Sequence, residues 1–270
     1  MHRFAICNET FGDWPWERVC RFVAEVGYDG IEIAPFTFAE SVEQISPGRR
    51  REIQQVADDA GLPIVALHWL LASPKGLHIH TRDDAVRRRT VEYLRALVHF
   101  AGDLGAERMI FGSPAQRRLE GGDRAGAWER TAASYRQVMP DLEARGVILC
   151  QEALPAPEAD FIMTAAEAAQ LVREIDHPNF RMMLDVKSMC SEQAPPAETV
   201  RRYAALSRHF HANDANRRGP GFGDTDFKPI AAALKETGYA DWVSVEVFDY
   251  SPDPETIARE SLRYLREAWV

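Results

Sequence analysis

Four short apolar runs in the second half of the chain each stop on a side chain able to bind a metal. The run Val147-Ile148-Leu149-Cys150-Gln151-Glu152 ends in a carboxylate, as do Met182-Met183-Leu184-Asp185 and Trp242-Val243-Ser244-Val245-Glu246. His209-Phe210-His211 ends in an imidazole. A continuous apolar run marks a strand covered on both faces, as in a parallel sheet. The carboxyl end of such a strand is where barrel and open-sheet enzymes keep their chemistry.

The rest of the chain repeats the strand and supplies helices between. Further strands are predicted over 4–8, 30–34, 63–68 and 108–112. Helices are predicted over 13–26, 47–60, about twenty residues from Asp83 or Asp84, 125–145, 164–175, 197–207, 227–237 and 254–269. Gly27, Gly61 and Gly238 stop three of them, and Thr164 with Glu167 reads as a capping box. Eight strand–helix units with no linker between them predict one (β/α)8 TIM barrel spanning residues 1–270 as a single domain. A doubly wound open sheet satisfies the same periodicity, although no glycine-rich phosphate loop follows the first strand.

A net charge of -9 and a pI near 5.4 argue against nucleic acid as a partner, and Arg49–Arg51 and Arg87–Arg89 read as exposed helix faces. Cys7, Cys20, Cys150 and Cys190 lack metal or disulfide-framework spacing, so they read as buried thiols in a reducing compartment. No run approaches the ~18 apolar residues of a membrane span, and the first residues enter a strand directly, so the expected location is the cytoplasm, away from any membrane.

Strands five to eight are neighbours in a barrel, which brings Glu152, Asp185, His211 and Glu246 to one mouth. Three clustered carboxylates repel unless a cation lies between them. Oxygen-rich ligation with one imidazole suits a single Mn²⁺, or Mg²⁺ or Co²⁺, better than a structural zinc. His68 closes strand three and is placed to bind a substrate hydroxyl. Trp14, Trp69 and Phe111 either stack on a substrate or pack the core or rim; Gln116 and Arg117 are polar candidates after strand four. His78 and His80 read as exposed or as covering the site.

With these residues in view, the chain resembles the xylose-isomerase-like TIM barrels, which include sugar isomerases and epimerases, inosose dehydratase and endonuclease IV. It is most similar to their tagatose/psicose (allulose) 3-epimerase group. The resemblance implies that Glu152, Asp185, His211 and Glu246 are the metal ligands and that Glu152 and Glu246 are catalytic. It also implies that Glu158, six residues after the first ligand, and Arg217, in His211-Ala212-Asn213-Asp214-Ala215-Asn216-Arg217, bind substrate oxygens. The stretch Gly221-Phe222-Gly223-Asp224-Thr225-Asp226-Phe227 is similar to the family's loop into a helix start. At one place the chain departs: the epimerases keep a histidine three residues after the Asp ligand, and here Ser188 stands there beside Lys187. Serine donates a hydrogen bond but carries no charge; Lys187 either supplies that charge or faces solvent.

The implied function is metal-dependent 3-epimerisation of an unphosphorylated ketose, by proton removal on one face and return on the other through an enediolate. Return to the neighbouring carbon would give aldose–ketose isomerisation of the hydroxypyruvate isomerase type. A leaving group β to the carbanion would give elimination, as in a keto-sugar or inosose lyase or a 3-keto-glycoside deglycosylase. Endonuclease activity fits poorly with the acidic charge and 8 histidines, and a scaffold fits poorly with four filled ligand positions. A homodimer or homotetramer is implied by the family alone.

Overall fold

The computed structural model describes residues 2–270. Eight parallel strands close a barrel in sequence order, β1 (Arg3–Cys7), β2 (Gly30–Ile33), β3 (Ile64–Leu67), β4 (Arg108–Phe111), β5 (Ile148–Gln151), β6 (Phe180–Asp185), β7 (Ser207–Ala212) and β8 (Trp242–Val245). β8 pairs back onto β1, with Ala5 opposite Ser244, so the open-sheet alternative is excluded. No strand edge remains.

Around the barrel lie α1 (Trp16–Val26), α2 (Pro47–Asp59), α3 (Asp84–Asp103), α4 (Arg124–Arg136), α5 (Met139–Arg145), α6 (Ala165–Ile175), α7 (Val186–Met189), α8 (Pro196–Tyr203), α9 (Phe227–Glu236) and α10 (Pro254–Ala268). The long helix expected over 125–145 is two helices. Pro140 has no N–H to give and its ring clashes with the carbonyl four residues back, so α4 stops and α5 restarts with Pro140 in its first turn. Asp83 caps α3, accepting from the N–H groups of Ala85 at 2.8 Å and Val86 at 3.2 Å. Thr164 accepts from Glu167 N–H at 3.2 Å, but the Glu167 carboxylate returns to Met163 N–H at 2.6 Å rather than to Thr164. Short α7, unforeseen from periodicity, begins where the Asp185 carboxylate accepts from Ser188 N–H at 2.7 Å.

Most apolar side chains fill the layer between strands and helices, from Ile6 and Ile31 to Phe210 and Leu265. A separate small cluster, Ala5, Val65, Ala66, Ile110, Cys150, Met183 and Trp242, fills the lower barrel. Beneath it Arg108, 6% exposed, donates from Nε to the Arg208 carbonyl at 2.8 Å and pairs with Asp241. Cys7, Cys20 and Cys150 are buried, whereas Cys190 is exposed, against expectation. Among the described residues no helix is long and apolar enough to cross a membrane.

Glycine at position 30 is a packing requirement. A Cβ there would sit 2.5 Å from Val65 Cγ1 and 3.1 Å from the Trp242 ring, both held inside the barrel. Gly30→Ala is expected to destabilise the fold by about 1–3 kcal/mol through overpacking, read as a lowered thermal midpoint. An unchanged midpoint would show that the lower barrel has slack.

Candidate metal centre and cleft

Each of Glu152, Asp185, His211 and Glu246 offers a ligand atom within 4.8 Å of the others, and all four are buried. The strand ends explain the convergence. Asp185 closes β6 opposite His211 of β7, while Glu152 and Glu246 follow the last residues of β5 and β8. Glu152 N–H donates to the Phe111 carbonyl at 3.1 Å and Glu246 N–H to Ala212 at 3.3 Å, so both backbones continue the ladder by one step.

Asp185 and His211 are held from behind. Asp185 Oδ1 accepts from Ser188 N–H at 2.7 Å, and Oδ2 from Asn213 Nδ2 at 2.6 Å. Asn213 Oδ1 in turn accepts from Lys187 N–H at 2.8 Å. His211 turns Nδ1 towards Glu246 Oε2, 3.0 Å away, and its Nε2 lies 3.1 Å from Glu32 Oε1. The other Glu32 oxygen is 2.8 Å from His209 Nε2. His68 spans two acids, with Nδ1 3.4 Å from Glu32 Oε1 and Nε2 2.9 Å from Glu9 Oε2.

Burial and charge set the protonation. Burial, then the carboxylates of Glu246 and Asp185, push Glu152 up to about 8. Burial works against a charged His211, but Glu246 and Glu32 override it and hold the imidazole well above its ordinary value. The same balance, with Glu9 and Glu32 as the opposing charges, raises His68 to about 9. Burial also works against a charged Glu32, yet His209, His211 and His68 carry it well below the usual carboxylate range. Protons thus crowd the positions where the donors converge. Glu246 Oε2 and His211 Nδ1 are buried with no well-formed hydrogen bond of their own. Three carboxylates and one imidazole nitrogen facing one point are a donor set for a hard or borderline divalent cation.

Above the donors a cleft is lined by His68, Trp69, Glu152, Glu158, Glu246 and Phe248, among others. Trp69 and Phe248 meet edge-on with ring centroids 6.4 Å apart, and Phe36 meets Trp69 at 6.4 Å. Glu158 reaches the cleft wall paired with Lys187, whose Nζ lies 2.7 Å away. Lys187 is therefore buried and not turned to solvent. Arg217 stands at the rim with φ 73°, its guanidinium carbon 5.3 Å from the Phe248 ring centroid. Its carbonyl accepts from Phe248 N–H at 2.9 Å and Asp249 N–H at 3.1 Å, tying the β7 and β8 loops together. Ser188 is buried and its Oγ has no hydrogen-bond partner; its backbone N–H serves Asp185.

Other sequence candidates lie away from the cleft. Arg117 is 1% exposed and donates to the Glu152 carbonyl at 2.8 Å, so it braces the strand end from behind. His80 is buried, with Nε2 2.9 Å from the Arg117 carbonyl, and partly buried His78 contacts the Arg118 carbonyl at 3.1 Å; they staple two loops. Phe111 packs on Tyr135, and Trp14 on Phe11 and Phe22. Sequence reasoning passed over Glu32, His209 and Glu9. Glu32 had a signal, an acid inside the buried run Gly30-Ile31-Glu32-Ile33. So did His209, two residues before His211 and therefore on the same strand face.

Comparison with known proteins bears on the family and the fold. The chain is 29% identical over 253 residues to a D-psicose 3-epimerase of Ruminiclostridium cellulolyticum, covering 88% of this chain and 82% of that one. It is 28% identical over 256 residues to an L-ribulose 3-epimerase of Mesorhizobium japonicum, covering 94% and 82%. A crystal structure of D-psicose 3-epimerase in the presence of D-fructose superposes with a TM-score of 0.87 at 22% identity over 99% of each chain, a likeness of fold. Residues 20–268 match the model of the xylose isomerase-like TIM barrel, and the chain belongs to that family.

Proposed function

We propose that the protein is a divalent-metal-dependent ketose 3-epimerase acting on an unphosphorylated ketose. The observation that carries the reading is the pair Glu152 and Glu246. These carboxylates come from non-adjacent strands, belong to one buried donor set and both line the cleft. The relatives' printed activities are 3-epimerisations of ketoses, which supports the same choice over isomerisation and elimination.

In this reading Glu152, Asp185, His211 and Glu246 hold the cation, Mn²⁺ by preference of the donor set, with Mg²⁺ or Co²⁺ as substitutes. When bound, it supplies Lewis-acid polarisation of the ketose carbonyl, which acidifies the neighbouring C–H. One of Glu152 and Glu246 takes the proton from C3, and the other returns one to the opposite face. His68, held between Glu9 and Glu32, lines the cleft and meets the sugar from the β3 side, and Glu158, Ser188 and Arg217 bind oxygens at the other end. Buried Lys187 is paired with Glu158 and Arg217 packs on Phe248 at the rim, so the two do not form a phosphate-holding cluster, which favours a neutral sugar over a phosphate ester.

Glu246→Gln is expected to lower kcat on D-psicose roughly a thousandfold with the fold intact by circular dichroism. Wild-type turnover in D₂O is expected to place deuterium at C3, and label at C1 or C2 with an aldose product would overturn the epimerase reading.

A second test uses Gly112. A Cβ there would lie 2.1 Å from Glu152 Oε2, so the missing side chain is the slot that this carboxylate occupies. Gly112→Ala is expected to displace the carboxylate and cost about 100-fold in kcat at nearly unchanged stability. Wild-type kcat would remove Glu152 from the chemistry.

A third follows from charge. Glu152, raised to about 8, binds a proton in the folded metal-free protein that the unfolded chain releases near its ordinary value of 4.5. More protons are then bound in the native than in the unfolded state, so this group's contribution to stability falls as pH rises from about 4.5 to 8. A cation takes that proton's place. Mn²⁺ affinity, measured by calorimetry on chelator-stripped protein, is expected to rise between about tenfold and a hundredfold per pH unit between roughly 6 and 8, as ligation expels the Glu152 proton and that of the His211 imidazole, which Glu246 and Glu32 hold charged. A flat profile would mean that neither Glu152 nor His211 carries a proton in the metal-free protein.

A further inference from the structure

Lys187 is placed to do more than brace a loop. Its side chain is 6% exposed, and its ammonium lies 2.7 Å from Glu158 Oε1 and 5.0 Å from the Phe248 ring centroid. Glu158 and Phe248 both line the cleft that Glu152 and Glu246 share, so the ammonium packs directly against two side chains of that lining. Burying a cation is costly unless it is paired and hydrogen-bonded, and a loop can be tethered by neutral groups at less cost. The other cations nearby are placed differently. Arg117 points at the Glu152 carbonyl from behind, and Arg217 is exposed at the rim.

The position of Lys187 is built rather than incidental. Its N–H is held by Asn213 Oδ1 at 2.8 Å, the same side chain that holds Asp185 through its other end. The single turn of α7, begun by the Asp185 carboxylate, aims the lysine stem towards Glu158. An ammonium has three donors. Glu158 takes one, the face of Phe248 attracts the charge without using a lone pair, and a donor remains for an oxygen in the cleft.

We propose that Lys187 is a substrate-contacting residue. Its ammonium donates to a ketose oxygen near the reacting carbon and stabilises the negative charge that develops there as the C–H proton leaves. No bond to nitrogen forms and no proton leaves it. The proposal rests on the epimerase reading above and adds to it the residue that supplies the fixed positive charge. Preorganised charge aimed at a developing oxyanion is worth the most in a water-excluded site.

The competing role is a tether that only positions Glu158, and a double-mutant cycle separates the two. Lys187→Met, Glu158→Gln and the double variant are compared as Mn²⁺-loaded protein on D-psicose, with metal content and thermal midpoint recorded for each. Lys187→Met is expected to lose about 100-fold in kcat with one Mn²⁺ retained per chain, and the double variant to lose about 100-fold relative to Glu158→Gln alone. Wild-type kcat in Lys187→Met, or a double variant no worse than Glu158→Gln, overturns the proposal while leaving epimerisation standing. If Lys187→Met does not fold, Lys187→Gln, which keeps a donor but no charge, takes its place, and full kcat there also overturns it. A wild-type protein that epimerises no ketose overturns the epimerase reading and this inference with it.

Discussion

Negative charge gathered in a dry place is the constraint to which the upper barrel answers. Glu152, Asp185 and Glu246 converge, buried, with His211, and Glu9 and Glu32 adjoin them through His68 and His211. Such a group of acids would push one another towards protonation. The chain answers with imidazoles threaded between them: His68 between Glu9 and Glu32, and His211 between Glu32 and Glu246. This alternation of acid and imidazole fixes ring orientation as well as charge. Glu32 takes the Nε2 side of His211, which leaves Nδ1 as the nitrogen presented to the mouth. Partners behind a ligand tune its basicity and hold it in place.

The barrel makes such a layer affordable. Its lower half is filled by Ala5, Val65, Ile110, Met183 and the Trp242 indole, with Gly30 giving way to the ring. Hydrophobic burial between strands and helices stabilises the frame independently of the mouth. The polar layer is therefore not asked to hold the fold together. It is supported by a closed ladder in which every strand has two neighbours.

Much of this could be read in the residues. The eight-unit alternation is strong because buried parallel strands are continuous apolar runs, and Gly27, Asp83 and Thr164 mark helix ends by local chemistry. The four strand-end donors are legible for the same reason, since chain order in a barrel is also spatial order. What failed to show was long-range. The break at Pro140 was written in the sequence but was outweighed by helical periodicity on both sides. Glu32 and His209 are 177 residues apart, so only closure of the barrel reveals them as partners. The Lys187–Glu158 pair likewise joins two loops, and nothing local decides whether a lysine after a strand end turns inward or outward.

The two rim loops after β7 and β8 are joined through the carbonyl of Arg217 to the N–H groups of Phe248 and Asp249. Main-chain atoms carry that seam, so it survives replacement of the guanidinium, subject to the left-handed backbone that residue 217 must tolerate. Mechanical support thereby rests on atoms that every residue type possesses, and the side chain at 217 is free of that duty. Evolution can vary the side chain at this position without unfastening the loops that frame the rim.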